Sequence, residues 1–148
     1  MRRQVRSLLT LALAVVLAAT TAARAVAPWM TDSEIRTTFS GRTVEGAYSD
    51  SMPFTESYFD TGRLDYIEPQ RRMTGRWSVV ESTFCTLYDN GGGGGCFKVR
   101  QVSGNCYEFY FAAFDEEDLA EGSDERPRWT ARGWRKDVPS TCVAVPVV

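Results

Sequence analysis

The sequence has no histidine among its 148 residues. Nucleophilic catalysis by serine or cysteine usually depends on a histidine base, so we expect a protein without enzymatic activity. The four cysteines are spaced by 11, 10 and 36 residues and include no C-x-x-C pair. Zinc sites usually combine such pairs with histidine. We therefore predict no catalytic residue, no cofactor and no bound metal.

Two other stretches lack the residues that a functional motif of their kind needs. The glycine run Gly91–Gly95 is not followed by the Lys-Ser/Thr pair of a phosphate-binding loop, so we interpret it as a plain loop that ends a strand. The acidic stretch Asp115–Asp118 lacks the D-x-D-x-D-G spacing of a calcium loop. Its carboxylates crowd one segment instead of facing each other across a cleft. We interpret it as a solvated acidic loop, with a calcium site as the alternative.

A transmembrane helix needs about 20 consecutive apolar residues, and no apolar run in the sequence is that long. The longest, at 7–19, follows an arginine-rich start and precedes small residues, which is typical of a secretory signal peptide. Cleavage after Ala25 or after Ala27 fits the A-x-A rule. We favour Ala25, because Pro28 directly follows the second bond. A retained anchor is the alternative to cleavage.

Residues 1–25 are thus the predicted signal peptide, and 26–148 are expected to form a single disulfide-linked β domain that is periplasmic or secreted. After cleavage, 13 basic and 19 acidic residues remain, a net charge of −6. This charge disfavours binding to nucleic acid or anionic lipid and permits a basic protein partner. We expect no stable membrane span after the signal peptide is removed.

The cysteine count is even, which in an exported chain implies disulfide bonds. If Cys85 lies opposite Cys96 in an antiparallel hairpin, the phenylalanines next to them also oppose each other on the other face, because side chains alternate along a strand. This consistent register predicts a Cys85–Cys96 bond. It leaves Cys106 and Cys142 as the second pair.

Short runs with strand-like alternation cover most of the domain. Thr31 and Glu34 form a capping box, which predicts a helix at 32–40 that covers one end of a sheet. About eight short strands with few helical segments favour an all-β antiparallel meander that forms a small barrel or partial barrel. The predicted strands are 43–48, 54–59, 63–67, 75–80, 83–88, 96–102, 106–114 and 129–135, with 143–148 as a candidate edge strand.

Aromatic residues are the main candidates for the barrel interior. Eight-stranded barrels are just wide enough to be filled by side chains, so we favour a packed core. The alternative is a ligand cavity, as in lipocalins. The aromatic residues in question are Trp77, Tyr107, Phe109, Phe111, Trp129 and Trp134.

Four motifs occur in the order seen in a group of small exported bacterial proteins of uncharacterised function. They are G-x-T-x-x-G at Gly41–Gly46, Y-F-x-x-G at Tyr58–Gly62, G-x-W-x-V at Gly75–Val79, and the hairpin between Cys85 and Cys96. The chain resembles this family from the first helix to 114. It differs in its second cysteine pair, its five glycines and its acidic stretch. The resemblance implies an exported β-barrel-like domain and transfers no functional residue.

These observations favour a non-enzymatic binding or envelope-associated module. One alternative is an acidic inhibitor of a basic enzyme such as a lysozyme, since a disulfide-linked β scaffold with negative charge suits that task. Another is a lipocalin-like barrel that binds a small apolar ligand.

Overall fold

The structure, a computed structural model, describes residues 26–113 and 129–143. The predicted signal peptide, the acidic stretch and 144–148 lie outside these residues. Val143, the first residue of the candidate edge strand, belongs to no strand.

The described chain forms one short helix and a closed antiparallel barrel of eight strands in sequence order, as predicted. The first and last strands pair with each other and close the barrel. The elements are α1 (Asp32–Phe39), β1 (Arg42–Tyr48), β2 (Pro53–Tyr58), β3 (Arg63–Glu68), β4 (Arg71–Val80), β5 (Thr83–Tyr88), β6 (Gly94–Ser103), β7 (Cys106–Phe111) and β8 (Ala131–Arg135).

Most strand bounds agree with the predicted ones within two residues. The exceptions are the start of β4, at Arg71 instead of 75, and the end of β7, at Phe111 instead of 114. The prediction that all five glycines lie outside a strand was wrong for Gly94 and Gly95, which begin β6 opposite Leu87 and Thr86. Gly94 has a φ of 148°. A Cβ there would lie 2.9 Å from the Cα of Leu87, so only glycine lets the two strands approach this closely.

Helix α1 begins at the predicted capping box and, as expected, covers one end of the barrel. The Thr31 backbone N–H donates to Glu34 Oε2 at 2.7 Å, and the Glu34 N–H donates to Thr31 Oγ1 at 3.4 Å. Ile35 and Phe39 are fully buried. The Phe39 ring contacts aromatic rings of three strands, with the centroid of Tyr107 at 5.2 Å and that of Phe84 at 5.6 Å. The helix thus supplies the floor of the barrel, and the opposite end is the mouth.

Both predicted disulfides are present. Cys85–Cys96 joins β5 to β6 in the predicted register, and Cys106–Cys142 ties the C-terminal segment to β7. The buried Asn105 supports the second link, because its side-chain amide donates to the carbonyl oxygen of Val138 at 2.8 Å. Two disulfides indicate a non-reducing environment. Within the two described ranges, no helix is long and apolar enough to cross a membrane.

Candidate ligand cavity

A cavity of about 220 Å³ occupies the barrel interior between the core above α1 and the mouth. Its walls are mostly aromatic, with two polar side chains, Glu56 and Thr86, among them. The lining residues are Tyr48, Phe54, Glu56, Tyr58, Phe84, Thr86, Tyr88, Gly94, Phe97, Phe109 and Ala131. A concave site with apolar walls and a few polar groups is the usual form of a small-molecule site.

Glu56 is the only acidic residue among these lining residues, and it is almost completely buried, at 5% exposure. Its carboxylate accepts two hydrogen bonds, from the Tyr58 hydroxyl at 2.6 Å and from the Tyr88 hydroxyl at 2.8 Å. Each carboxylate oxygen accepts one of these bonds and can accept another. A ligand that reaches Glu56 would therefore find an oriented hydrogen-bonding group.

Strand alternation places this carboxylate inside the barrel. Phe54, Glu56 and Tyr58 occupy every second position of β2, and all three are buried. Such positions share one face of a strand. In the pairing of the strands, Glu56 lies between Val44 of β1 and Tyr66 of β3.

Tyr88 reaches Glu56 from β5, which lies across the barrel interior rather than next to β2. The end of β5 is supported by the glycine loop, because the Tyr88 N–H donates to the carbonyl oxygen of Gly93 at 2.9 Å. The glycine run therefore helps to shape one side of the mouth.

A second chain of polar groups runs along the rim of the mouth. The hydroxyls of Tyr48 and Tyr66 lie 3.0 Å apart, and the Tyr66 hydroxyl donates to Glu68 Oε2 at 2.9 Å. Arg71 completes this group, since its Nε lies 2.9 Å from Glu68 Oε1. The carboxylate at the rim, Glu68, thus pairs with an arginine, whereas the interior carboxylate, Glu56, is bound by tyrosine hydroxyls.

Burial dominates the electrostatics of the interior. It raises the pKa of Glu56 above the usual value, while the hydrogen bonds from Tyr58 and Tyr88 oppose this rise. Burial also raises the pKa of Tyr58 and that of Tyr88, and the nearby Glu56 charge adds to both effects. The tyrosine hydroxyls therefore keep their protons at neutral pH and act as donors.

The six aromatic residues considered from the sequence have different positions. Trp77, Tyr107 and Phe109 belong to the packed core, as favoured, and of the six only Phe109 also lines the cavity. Trp129 is buried beside the Arg132 guanidinium, 4.7 Å from its ring. The other two are less buried, Phe111 at 38% exposure and Trp134 in part.

The sequence interpretation missed Glu56 and most of the tyrosines that surround it. A detectable feature was the pattern Phe54-x-Glu56-x-Tyr58, which places a carboxylate between two aromatic residues on one strand face. A charged residue at the centre of such a buried face is unusual and is a functional candidate.

A second buried glutamate lies on the outer side of the barrel wall. Glu108 is 7% exposed and accepts a hydrogen bond from the Tyr110 hydroxyl at 2.6 Å. Arg132 of β8 donates to the other carboxylate oxygen with Nε at 3.0 Å and Nη2 at 2.5 Å. Both nitrogens donate to the same oxygen, Oε1, and this ion pair joins β7 to β8.

Among residues 26–113 and 129–143, no three His, Cys, Asp or Glu side chains lie close enough together to hold a metal ion. All four cysteines are in disulfides. The cavity offers one carboxyl group, tyrosine hydroxyls and aromatic walls.

No family model matches the chain, and no curated protein or solved structure is significantly similar to it.

Proposed function

We propose that the protein is an exported, non-enzymatic binding protein that holds a small, largely apolar ligand in the mouth of its barrel, in the manner of a lipocalin. The observation that carries this proposal is the aromatic cavity with Glu56 fixed in its wall by two tyrosine hydroxyls. Apolar walls supply affinity through burial, and the few polar groups orient the ligand.

The volume of the cavity limits the size of the ligand. A cavity of about 150 Å³ can hold benzene, so about 220 Å³ corresponds to roughly nine non-hydrogen atoms within the walls. A single aromatic ring with a short polar side chain fits this volume. Longer molecules would extend through the mouth.

Export is part of the same proposal. The arginine-rich start and apolar run at 1–19 support it, and two disulfides in the folded domain are consistent with an oxidising compartment. The family resemblance also supports an exported β-barrel domain. A ligand in the periplasm or the medium would be accessible to such a protein.

The test uses the full chain, expressed with its own N-terminal segment, and 2-phenylethanol, which has nine non-hydrogen atoms. Titration calorimetry or ligand-observed NMR is expected to show saturable binding at one site. The absence of saturable binding to the folded protein would contradict the proposal.

Two alanine variants locate the binding site. Ala131 lines the cavity, whereas Ala47, on the neighbouring strand, occupies a position facing the other side of the barrel wall. Ala131→Leu is expected to abolish binding by filling the cavity, and Ala47→Leu to leave it unchanged. Equal binding by both folded variants would place the ligand elsewhere.

A further inference from the structure

Three glutamates in the barrel have the same local partner. In each case, a tyrosine two residues away donates its hydroxyl to the carboxylate, because residues i and i+2 share a strand face. The pairs and their O–O distances are Glu56 with Tyr58 at 2.6 Å, Glu68 with Tyr66 at 2.9 Å, and Glu108 with Tyr110 at 2.6 Å.

Two of the three glutamates also have an arginine. Arg71 pairs with Glu68, and Arg132 pairs with Glu108. Glu56 makes no ion pair with any residue that the structure describes. Among the same residues, no lysine or arginine lines the cavity. The glutamate that faces the cavity is thus the one whose positive partner is not supplied by the described chain.

A buried carboxylate without a cation is unfavourable. Removing an ionised group from water costs several kcal/mol or more, and two tyrosine hydrogen bonds offset only part of this cost. The raised pKa of Glu56 reflects the same imbalance. A positive charge brought by a ligand would supply the partner that Arg132 supplies to Glu108.

The walls around Glu56 also suit a cation. Aromatic ring faces attract ammonium groups within about 6 Å of the ring centroid, and the effect is stronger in desolvated sites. Tyr48 and Phe54 lie with ring centroids 5.0 Å apart on one side of the cavity. Tyr58 and Phe84, with centroids 5.1 Å apart, form its inner end. Tyr88 closes the side opposite β2.

We propose that the ligand of this cavity is an amine or another small organic cation, whose positive group pairs with Glu56 inside a cage of tyrosine and phenylalanine rings. This inference rests on the proposed ligand-binding function and names the chemical class of the ligand. An aromatic or aliphatic monoamine of about nine non-hydrogen atoms fits the volume.

The titratable groups that face Glu56 determine how the binding of a cationic ligand depends on pH. They are the hydroxyls of Tyr58 and Tyr88, which stay protonated at neutral pH. Further out, Tyr48 and Tyr66 lie towards the rim with the ion pair of Glu68 and Arg71. Glu56 is therefore the group whose ionisation switches on the attraction to a cation, as the pH rises through its raised pKa.

The experiment compares three probes of nearly equal size: phenethylamine, 2-phenylethanol and phenylacetate. At pH 7.5, the amine is expected to bind roughly tenfold or more tightly than the alcohol, which corresponds to about 1.4 kcal/mol or more from the charge-assisted hydrogen bond and the ring faces. Phenylacetate is expected to bind more weakly than either. The amine affinity should rise with pH through the pKa of Glu56, and the alcohol affinity should stay constant.

Two variants test the role of the carboxylate. Glu56→Gln keeps the side-chain shape and is expected to reduce amine affinity to that of the alcohol. Glu45→Gln is the matched control, because it removes an outward carboxylate of β1 that pairs with Lys136. The control is expected to retain the preference for the amine. If Glu56→Gln does not fold, the pH dependence in the unmodified protein decides.

The outcomes separate this inference from the proposed function. Binding of the alcohol or of phenylacetate at least as tightly as the amine would overturn the cationic ligand, while ligand binding in the barrel would stand. Binding of no probe would overturn both. A preference for the amine that survives in folded Glu56→Gln would also refute the role of this carboxylate.

Discussion

Glu56 and Glu108 lie on opposite sides of the same barrel wall and have much in common. Both are buried, and both accept a 2.6 Å hydrogen bond from the tyrosine two residues further along the strand. They differ in the second hydrogen-bond partner. Glu108 faces outward and is held by Arg132 of β8, whereas Glu56 faces the cavity and has the neutral Tyr88 instead.

This difference separates a structural cluster from a candidate binding site. The outer cluster, Glu108, Tyr110 and Arg132, contains an ion pair that joins β7 to β8. It lies next to the pairing of β8 with β1 that closes the barrel. The inner cluster contains a carboxyl group that forms no ion pair within residues 26–113 and 129–143, beside space for a ligand. An incompletely satisfied buried group suggests function, because the fold alone does not account for its cost.

The largest expected effect comes from making the outer cluster resemble the inner one. Arg132→Met removes the ion-pair partner of the buried Glu108 carboxylate and is expected to lower the free energy of unfolding by about 3 kcal/mol. Urea denaturation at pH 7 measures the change. The double variant with Glu108→Gln should recover much of the loss. A loss below about 1 kcal/mol would show that the outer pair is not structural.

The two tyrosines test the same contrast at the level of one hydrogen bond. Tyr58→Phe is expected to cost about 2 kcal/mol at pH 7, and Tyr110→Phe about 1 kcal/mol, because Glu108 still has Arg132. Each change removes a hydroxyl oxygen that donates a hydrogen bond to a buried carboxylate. Equal losses in urea denaturation would mean that the arginine does not compensate for the missing hydroxyl.

Glu56→Gln is expected to show a smaller, pH-dependent effect on stability. The folded state raises the pKa of Glu56, so this group favours folding below about pH 4.5 and loses that contribution as the pH rises through the folded value. The variant should therefore gain stability relative to the unmodified protein as the pH increases. Melting temperatures across pH 4–8 measure it. A difference independent of pH would mean that folding does not change the pKa of Glu56.

The smallest effect is expected at the rim. Arg71 is half exposed, with 54% of its side chain accessible, so its pair with Glu68 is screened by water. Arg71→Met should change the free energy of unfolding by about 0.5 kcal/mol or less. A loss comparable to that of Arg132→Met would show that the rim is more tightly coupled to the cavity than its exposure suggests.

Local patterns were enough to predict much of the fold. The capping box at Thr31 and Glu34 specifies the start of α1 from neighbouring residues alone. The register of β5 and β6 followed from two agreeing constraints, paired cysteines and paired phenylalanines. Strand alternation and spacing were sufficient to indicate an eight-stranded barrel.

The cavity depends on contacts that local patterns do not specify. Tyr88 and Glu56 are 32 residues apart, and they meet because β2 and β5 face each other across the interior. Arg132 and Glu108 are 24 residues apart and meet through the pairing of β7 with β8. The close approach at Gly94 is also a tertiary effect, since it depends on the backbone of Leu87.

The pairing of β1 with β8 has a consequence for how the chain folds. Val44 lies opposite Arg135, so the closing contacts join positions roughly ninety residues apart, and such contacts form slowly because a large loop must be closed first. During synthesis from the N-terminus, one edge of β1 stays unpaired until β8 has been made. An unpaired edge can add a strand from another chain. The nascent protein is therefore most prone to aggregation just before its last strand is available, which makes the loss of β8 more harmful than its length of five residues would suggest.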